Sequence, residues 1–243
     1  MSDYRWNQSQ AAQDYDAAAP VIHPRYTEVQ DALLGALPFN PLKDFRVLDL
    51  GGGSGRLAER LLDHFRHATV VLLDQSQPFV ELAHQRLRRF GHRARTVCRS
   101  MQEGWAADLA PLDAVVSTSA IHHLESPEKL ALFRQIRSAL APGGVFLNGD
   151  EHRPADDAQF RKLLEDWGQH MEWAHARGEI PESFGEIIAK WRRRNLDGFG
   201  AEKHSGDDCH ETIEGQQALL SDAGFASVEV VWQEDLWAVT VAS

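Results

Sequence analysis

The stretch "RVLDLGGGSGRLAERLL", residues 46–62, decides the fold. It begins as a short apolar run, passes through three consecutive glycines and continues with apolar residues at helical spacing. Glycine adopts positive φ without strain and lets a ligand approach the main chain closely. The helix after the bend presents free backbone N–H groups and the positive end of its dipole. The stretch therefore predicts a strand, a ligand-binding bend and a helix.

The alternation of strand and helix continues downstream. Amphipathic helical patterns separate a series of buried strands, which indicates a parallel sheet with right-handed crossovers. At the end of the chain, two β-rich runs separated only by Glu234 and Asp235 predict a hairpin. We therefore predict an α/β fold, a Rossmann-like seven-stranded mostly parallel sheet with a C-terminal β-hairpin and a helical cap. The predicted strands after the first are 68–74, 94–98, 113–119, 145–149, 226–233 and 236–243.

Four segments follow from these patterns. Residues 1–40 form an N-terminal helical cap segment, and residues 41–150 form the Rossmann-like core that holds the ligand. Residues 151–211 form a helical insertion that caps the substrate, because two apolar stripes at helical spacing precede a polar loop there. Residues 212–243 supply a C-terminal helix and the hairpin, which complete the core sheet.

Composition limits the class of protein. The formal net charge is −11, from 36 acidic and 25 basic residues, so the chain lacks the basic footprint of a general nucleic-acid binder. Two cysteines, Cys98 and Cys209, form no disulfide framework. We find no leader pattern and no apolar run near the roughly 20 residues of a membrane span. We expect a cytoplasmic protein with a small-molecule substrate and no nucleic-acid or membrane partner, and the oligomeric state stays open.

Two kinds of cofactor are consistent with a glycine bend at this position. A nicotinamide or flavin fingerprint is G-x-G-x-x-G. With Gly51 and Gly53 as its first two glycines, Arg56 stands where the third glycine belongs. The pattern present is instead Asp49-x-Gly51-x-Gly53-x-Gly55, which disfavours the dinucleotide interpretation.

Four segments in register resemble the class I S-adenosylmethionine-dependent methyltransferases. "DLGGGSG" (49–55) is similar to the first motif of that family, and Asp74 ends the second strand as the ribose-binding acid does. "PLDAVVSTSAIHHLES" (111–126) and "LAPGGVFLNGD" (140–150) resemble the segments around the fourth and fifth strands. The resemblance covers roughly residues 40–150 and the tail "AGFASVEVVWQ". It implies S-adenosyl-L-methionine as cofactor and methyl transfer as the activity.

The resemblance also implies roles for individual residues. Asp74 accepts two hydrogen bonds from the ribose diol, and Asp49 contacts the cofactor's ammonium or orders the loop. Gln75 lies along the adenine, residues after the third strand reach its edge, and Tyr15 covers the cofactor. The predicted cofactor-binding set is Tyr15, Asp49, Gly51, Gly53, Gly55, Asp74, Gln75, Ser100, Met101, Gln102 and Ser117.

The predicted catalytic residues are His122, Asp150 and His152, at the ends of the fourth and fifth strands. Histidine titrates near neutral pH, and a general base contributes about 10²–10⁴-fold when the acceptor loses a proton. The plainer alternative is a solvated strand end. We expect no metal site, because the adjacent His122 and His123 diverge and no H-x-x-x-H spacing occurs.

Three other functions stay open. The first is methylation of a macromolecule such as tRNA or protein, which an open basic groove on the cap favours. The second is a nicotinamide oxidoreductase, which an absorbance change with reduced nicotinamide detects. The third is a non-catalytic S-adenosylmethionine-binding protein, which binds the cofactor tightly without turnover.

Overall fold

The structure, a computed structural model, describes residues 7–243 and contains one seven-stranded sheet. Its strands are β1 (Phe45–Leu50), β2 (Ala68–Asp74), β3 (Ala94–Cys98), β4 (Leu112–Thr118), β5 (Leu140–Glu151), β6 (Val228–Glu234) and β7 (Trp237–Ala242). The order in space is β3-β2-β1-β4-β5-β7-β6. The first five strands are parallel, whereas β7 runs antiparallel to both of its neighbours. The predicted fold class is confirmed.

Helices cover both faces of the sheet. They are α1 (Ser9–Ile22), α2 (Tyr26–Ala36), α3 (Arg56–His64), α4 (Gln77–Leu87), α5 (Ala106–Leu109), α6 (Ser126–Ala139), α7 (Asp157–Ala176), α8 (Phe184–Arg192) and α9 (Ile213–Asp222). One apolar core lies between the sheet and α1–α4, α7 and α8, and the other lies against α5, α6 and α9. None of these helices is both long and apolar enough to cross a membrane.

The alternation of side chains along β1 explains how one strand serves two cores. Phe45 and Val47 belong to the first core, and Leu48 and Leu50 belong to the second. Successive side chains on a strand point to opposite faces, so a central strand that is buried on both sides has almost no polar position. β1 has two polar residues, the exposed Arg46 and Asp49, which is fully buried.

The helical cap is built from segments at both ends of the chain. The predicted segment 1–40 contains α1 and α2, although its residues 1–6 lie outside the described part. The predicted insertion 151–211 contains α7 and α8, and the indole Nε1 of Trp167 donates to the carbonyl of Ile22 at 2.6 Å. That bond joins α7 to the end of α1. The four segment boundaries stay a prediction.

The C-terminal hairpin closes one end of the sheet, as expected, with a small difference at its turn. Glu234 is paired with Trp237, so the two turn residues are Asp235 and Leu236, one position later than predicted. Asp235 has φ +52°, the left-handed conformation that such tight turns require. The bulge near Val230 shifts the register between the two strands.

Candidate functional site

The loop after β1 has no space for a side chain at Gly51 or Gly52. Gly51, Gly53 and Gly55 have φ values of +69°, +52° and +83°, which favour glycine. A Cβ on Gly51 would lie 2.7 Å from the Cβ of Ala120, and a Cβ on Gly52 would lie 2.7 Å from Asp49 Oδ2. The bend therefore brings bare main chain to the edge where β1 and β4 end, which is where open parallel sheets bind ligands.

Asp74 fastens this loop to the end of β2. Its Oδ2 accepts the N–H of Gly53 at 2.9 Å, and its Oδ1 accepts the N–H of Ser76 at 2.8 Å. Burial raises the pKa of Asp74 to about 6, although the hydrogen bonds from Ser76 and Gly53 act in the opposite direction. A carboxylate here has further lone pairs for a diol, as predicted for the ribose, and it also orders the loop.

Asp49 lies behind the glycine loop. Neither of its carboxylate oxygens has a hydrogen-bond partner within residues 7–243. Burial, and then the neighbouring charge of Asp74, raise the pKa of Asp49 to about 7. Its contact with the position of Gly52 supports the loop-ordering alternative over direct contact with a ligand.

The residues predicted to contact the adenine do not lie together in the structure. The Met101 methyl lies 3.0 Å from a Cβ built on Gly51, so this side chain covers the glycine loop. Gln102 points toward α6, where its amide donates to Glu128 at 2.7 Å. Ser100 accepts the N–H of Gln102 at 3.3 Å, and Gln75 is exposed beyond Asp74. Among these residues, Met101 is the one that the structure brings onto the loop.

The remaining predicted cofactor residues are Tyr15 and Ser117. Tyr15, on α1, packs edge to face on Phe79 at 5.7 Å and shares a 3.0 Å hydrogen bond with His23 Nε2. Ser117 is fully buried, and its hydroxyl donates to the carbonyl of Leu50 at 2.8 Å. That hydroxyl joins β4 to the start of the glycine loop.

A charged group that we did not predict holds α1 against the loop. Asp16 accepts hydrogen bonds from the Ser54 hydroxyl at 2.5 Å and from Arg56 Nε at 2.8 Å. Arg86, on α4, contacts both oxygens of Asp16 and donates to the carbonyl of Ser54 at 3.0 Å. Burial raises the pKa of Asp16, but the hydrogen bonds and charges of these partners outweigh it, and the net pKa is lowered.

His122 and Asp150, two of the three predicted catalytic residues, are in direct contact. His122 Nδ1 lies 2.6 Å from Asp150 Oδ1, and Asp150 Oδ2 accepts the N–H groups of Ile121 and His122 at 3.1 Å each. Both side chains are buried. Burial lowers the pKa of His122, but the charges of Glu151 and Asp150 outweigh burial and raise it to about 10.

Further charged groups surround the other nitrogen of His122. Its Nε2 lies 3.4 Å from Glu151 Oε2 and 3.9 Å from Asp208 Oδ1. His210 Nε2 lies 3.7 Å from the same Glu151 oxygen. We define Asp150, Glu151, Asp208, His122 and His210 as the buried cluster. Asp208 and His210 come from a polar loop, so only the tertiary fold reveals that they belong to it.

His152, the third predicted catalytic residue, takes no part in these contacts. Its main-chain N–H donates to the carbonyl of Leu236 at 2.6 Å. Neither ring nitrogen has a hydrogen-bond partner in the described chain, and burial lowers the pKa of the ring to about 4. His152 is therefore neutral at physiological pH and a weak base.

A cavity of about 520 Å³ adjoins the buried cluster on the side of the cap. Asp208 and His210 form part of its wall, and Phe160 and Phe199 provide an aromatic side. Arg153 and Lys203 contribute positive charge. The volume lies in the usual range of pockets for small molecules.

Comparison with known proteins agrees with this arrangement. A profile of the family described as "Methyltransferase domain" matches residues 47–144. The malonyl-[acyl-carrier protein] O-methyltransferase of Geobacter sulfurreducens is 31% identical over 161 residues, which are 63% of this chain and 55% of that protein. The carboxy-S-adenosyl-L-methionine synthase of Aeromonas hydrophila is 27% identical over 198 residues, 79% of this chain and 69% of that one. The chain spans about half the length of several curated relatives.

Solved structures share the fold. Human N-acetylserotonin methyltransferase in complex with S-adenosylmethionine superimposes with a TM-score of 0.64 at 15% identity, over 98% of this chain and 56% of the human one. The residues present fit that cofactor, because the bend excludes side chains at Gly51 and Gly52 and places the Asp74 carboxylate beside them. The matched segment, residues 47–144, is therefore a methyltransferase domain, on a sheet of the order and with the glycine loop expected of the class I S-adenosylmethionine-dependent superfamily.

Proposed function

We propose that this protein transfers a methyl group from S-adenosylmethionine to a small molecule bound between the sheet edge and the cap. The observation that carries the proposal is the meeting of two sites at one edge. The glycine loop and Asp74 end β1 and β2, while the buried cluster and the cavity lie at the ends of β4 and β5. Ala120, in van der Waals reach of Gly51, connects the two sites.

The cofactor end is organised by the main chain. S-adenosylmethionine, when bound, supplies a methyl group on a positively charged sulfur, which is already a good electrophile. The chain therefore has to hold the cofactor, orient it toward the acceptor and exclude water. The glycine loop offers a main-chain surface without side chains, since its glycine N–H groups are already bonded within the protein. Asp74 offers carboxylate oxygens, and Met101 covers the loop from the side of β3. Alignment of this kind supplies about 7–11 kcal/mol of barrier reduction.

The acceptor end is organised by the cap. The cavity is lined in part by α7 and by the segment after α8, and its aromatic wall of Phe160 and Phe199 suits a metabolite better than a duplex. Asp208 and His210 also line it. This geometry favours a small acceptor over tRNA or protein. The absence of a nucleic-acid partner and the cytoplasmic location remain predictions from the sequence.

The role of His122 depends on its proton. With a pKa near 10, His122 is an imidazolium at neutral pH, and an imidazolium cannot accept a proton. It serves as a general base only when another cation neutralises the carboxylates around it. Otherwise His122 positions the neighbouring carboxylates by its charge and hydrogen bonds, and Asp150 fixes the orientation of the His122 ring through Nδ1.

The experiment that tests the function follows the methyl group. Purified protein is incubated with methyl-labelled S-adenosylmethionine and a cellular metabolite extract, and labelled products are sought by mass spectrometry. We expect one labelled small molecule whose formation is lost in Asp74→Asn and kept in the exposed control Asp44→Asn. Tight binding of S-adenosylhomocysteine without any labelled product would instead identify a non-catalytic binding protein.

A further inference from the structure

The buried cluster contains more negative charge than the side chains around it neutralise. Asp150, Glu151 and Asp208 are all carboxylates, and their recorded ionic partners are histidines. Lys129, the buried lysine nearby, is engaged elsewhere, with Glu211 at 3.3 Å and the carbonyl of Cys209. Removing three carboxylates from water is costly unless cations or hydrogen bonds compensate them.

The donor atoms of the cluster are close neighbours of one another. Glu151 Oε2 and Asp208 Oδ1 lie 3.4 and 3.9 Å from His122 Nε2, and His210 Nε2 lies 3.7 Å from Glu151 Oε2. Ligands bound at about 2.0–2.2 Å to a tetrahedral ion are separated by roughly 3.4 Å. Within the described residues, ligand atoms of His122, Asp150 and Glu151 lie within 4.8 Å of one another, as do those of His122, His123 and Asp208. Neither of these two groups includes His210 or unites Glu151 with Asp208.

Two buried atoms of the cluster lack a hydrogen-bond partner among residues 7–243. They are Glu151 Oε1 and His210 Nε2, and both side chains are at most 3% exposed. Glu151 Oε1 faces His23 Nδ1 at 3.6 Å, whereas His210 Nε2 lies 3.7 Å from Glu151 Oε2. Buried polar atoms are nearly always satisfied, so the unsatisfied nitrogen of His210 beside a carboxylate oxygen points to a ligand that both side chains bind.

Asp150 provides the support that a metal-binding histidine requires. It accepts from His122 Nδ1 at 2.6 Å and is itself fixed by the N–H groups of Ile121 and His122. A metal-ligating histidine almost always uses its second nitrogen in this way, which orients the ring and leaves the other nitrogen free for the ion.

We propose that the buried cluster is a divalent transition-metal site, in which His122 Nε2 and Glu151 bind the ion, Asp208 and His210 close onto it as further ligands and Asp150 orients His122. Mixed imidazole and carboxylate donors suit Zn²⁺ and its neighbours, whereas Mg²⁺ and Ca²⁺ prefer oxygen alone. The metal site does not depend on methyl transfer. If the proposed function also holds, the ion faces the acceptor cavity, and the acceptor carries an oxygen that the ion binds.

The test measures metal binding directly. Protein treated with EDTA is titrated with Zn²⁺ by calorimetry, and with Co²⁺ followed by its visible ligand-field absorbance. We expect one ion per chain, and at least ~10-fold weaker binding in Glu151→Gln and in His210→Gln. The matched control is His204→Gln, in the same segment, because His204 is 66% exposed and outside the cluster. Circular dichroism establishes that each variant is folded.

Two variants keep the proposal falsifiable if one of them does not fold. It would be overturned if wild-type protein bound neither ion, or if Zn²⁺ affinity and the Co²⁺ spectrum were unchanged in a folded Glu151→Gln or His210→Gln. Loss of binding in these variants together with full binding in His204→Gln supports it. S-adenosylhomocysteine binding by metal-free protein is measured separately, so failure of the metal site is distinguishable from failure of the proposed function.

Discussion

In the proposed function, Asp74 combines a structural and a binding role in one carboxylate. Its two oxygens hold the N–H groups of Gly53 and Ser76, and they lie at the edge where a ribose diol is expected. Hydrogen bonds to a charged group contribute about 1.5–3 kcal/mol each. We therefore expect Asp74→Asn to weaken S-adenosylhomocysteine binding about 10- to 100-fold, because the amide presents a donor where acceptors are required. Calorimetric titration measures the change.

The control for this prediction is Asp44→Asn. The Asp44 side chain is 92% exposed and pairs only with His67 among its recorded partners, so its removal should leave the affinity within twofold. Equal binding by Asp74→Asn and wild type would assign Asp74 to loop structure alone.

Asp49 makes the stability of the fold depend on pH in an unusual direction. Its folded-state pKa of about 7 lies above the ordinary value of 3.8, so the folded protein binds the proton more tightly than the unfolded chain. The stability contributed by this proton is complete below about pH 3.8 and is lost as pH rises through about 7. The loss is on the order of 4 kcal/mol, because one pKa unit corresponds to about 1.36 kcal/mol.

Asp49→Asn tests this dependence, since the amide stays neutral. In urea unfolding from about pH 5 to about pH 8, the free energy of unfolding of the variant should rise relative to wild type as pH increases. Comparison of the two proteins cancels the carboxylates that do not interact with Asp49, including Asp208, whose pKa is lowered to about 2. Asp74, whose charge raises the pKa of Asp49, titrates in the same range and contributes to the difference. A constant difference across this range would contradict a buried, protonated Asp49.

At the scale of elements, the sequence patterns predicted the strands and helices well because each pattern is local. A short apolar run marks β1 from Phe45 to Leu50, and the glycines mark its end. The buried cluster had no such signal, because Glu151, Asp208 and His210 lie far from His122 in the chain and meet only after β4, β5 and the cap are assembled.

The attachment of α1 to the glycine loop depends on Asp16. Its carboxylate receives hydrogen bonds from Ser54, Arg56 and Arg86, which belong to the loop, α3 and α4. Asp16→Asn weakens these contacts, removes the recorded counter-charge of Arg56 and leaves Arg86 with Glu59 alone. We therefore expect faster amide hydrogen exchange in α1 and a severalfold weaker affinity for S-adenosylhomocysteine. Exchange measured by mass spectrometry locates the change.

Asp31→Asn is the matched control, because Asp31 is 61% exposed on the neighbouring α2 and pairs with Arg60 at the surface. Surface pairs of this kind contribute about 0–1 kcal/mol, so exchange in α1 should stay as in wild type. Unchanged exchange in Asp16→Asn as well would show that apolar packing alone holds α1.

In the whole molecule, one sheet edge serves two tasks. The ends of β1 and β2 face the cofactor region, and the ends of β4 and β5 face the cavity beneath the cap. The region at the ends of β1 and β2 was predictable from the glycine motif, because its chemistry depends on the main chain. The cavity at the ends of β4 and β5 depends on how α7 and the segment after α8 fold over the sheet edge, which no short motif encodes. Acceptor choice should therefore vary independently of cofactor binding.

Phe199→Ala tests this independence. Phe199 lines the cavity and lies 5.8 Å from the ring of Phe160, which in turn packs on His210 at 5.6 Å. Loss of the ring removes apolar contact with the acceptor, so we expect its KM to rise roughly 10-fold or more while the Kd of S-adenosylhomocysteine stays within twofold. Leu42→Ala, which removes a 67% exposed side chain, should change neither constant. A parallel rise in both constants in Phe199→Ala would mean that the cavity belongs to the cofactor site.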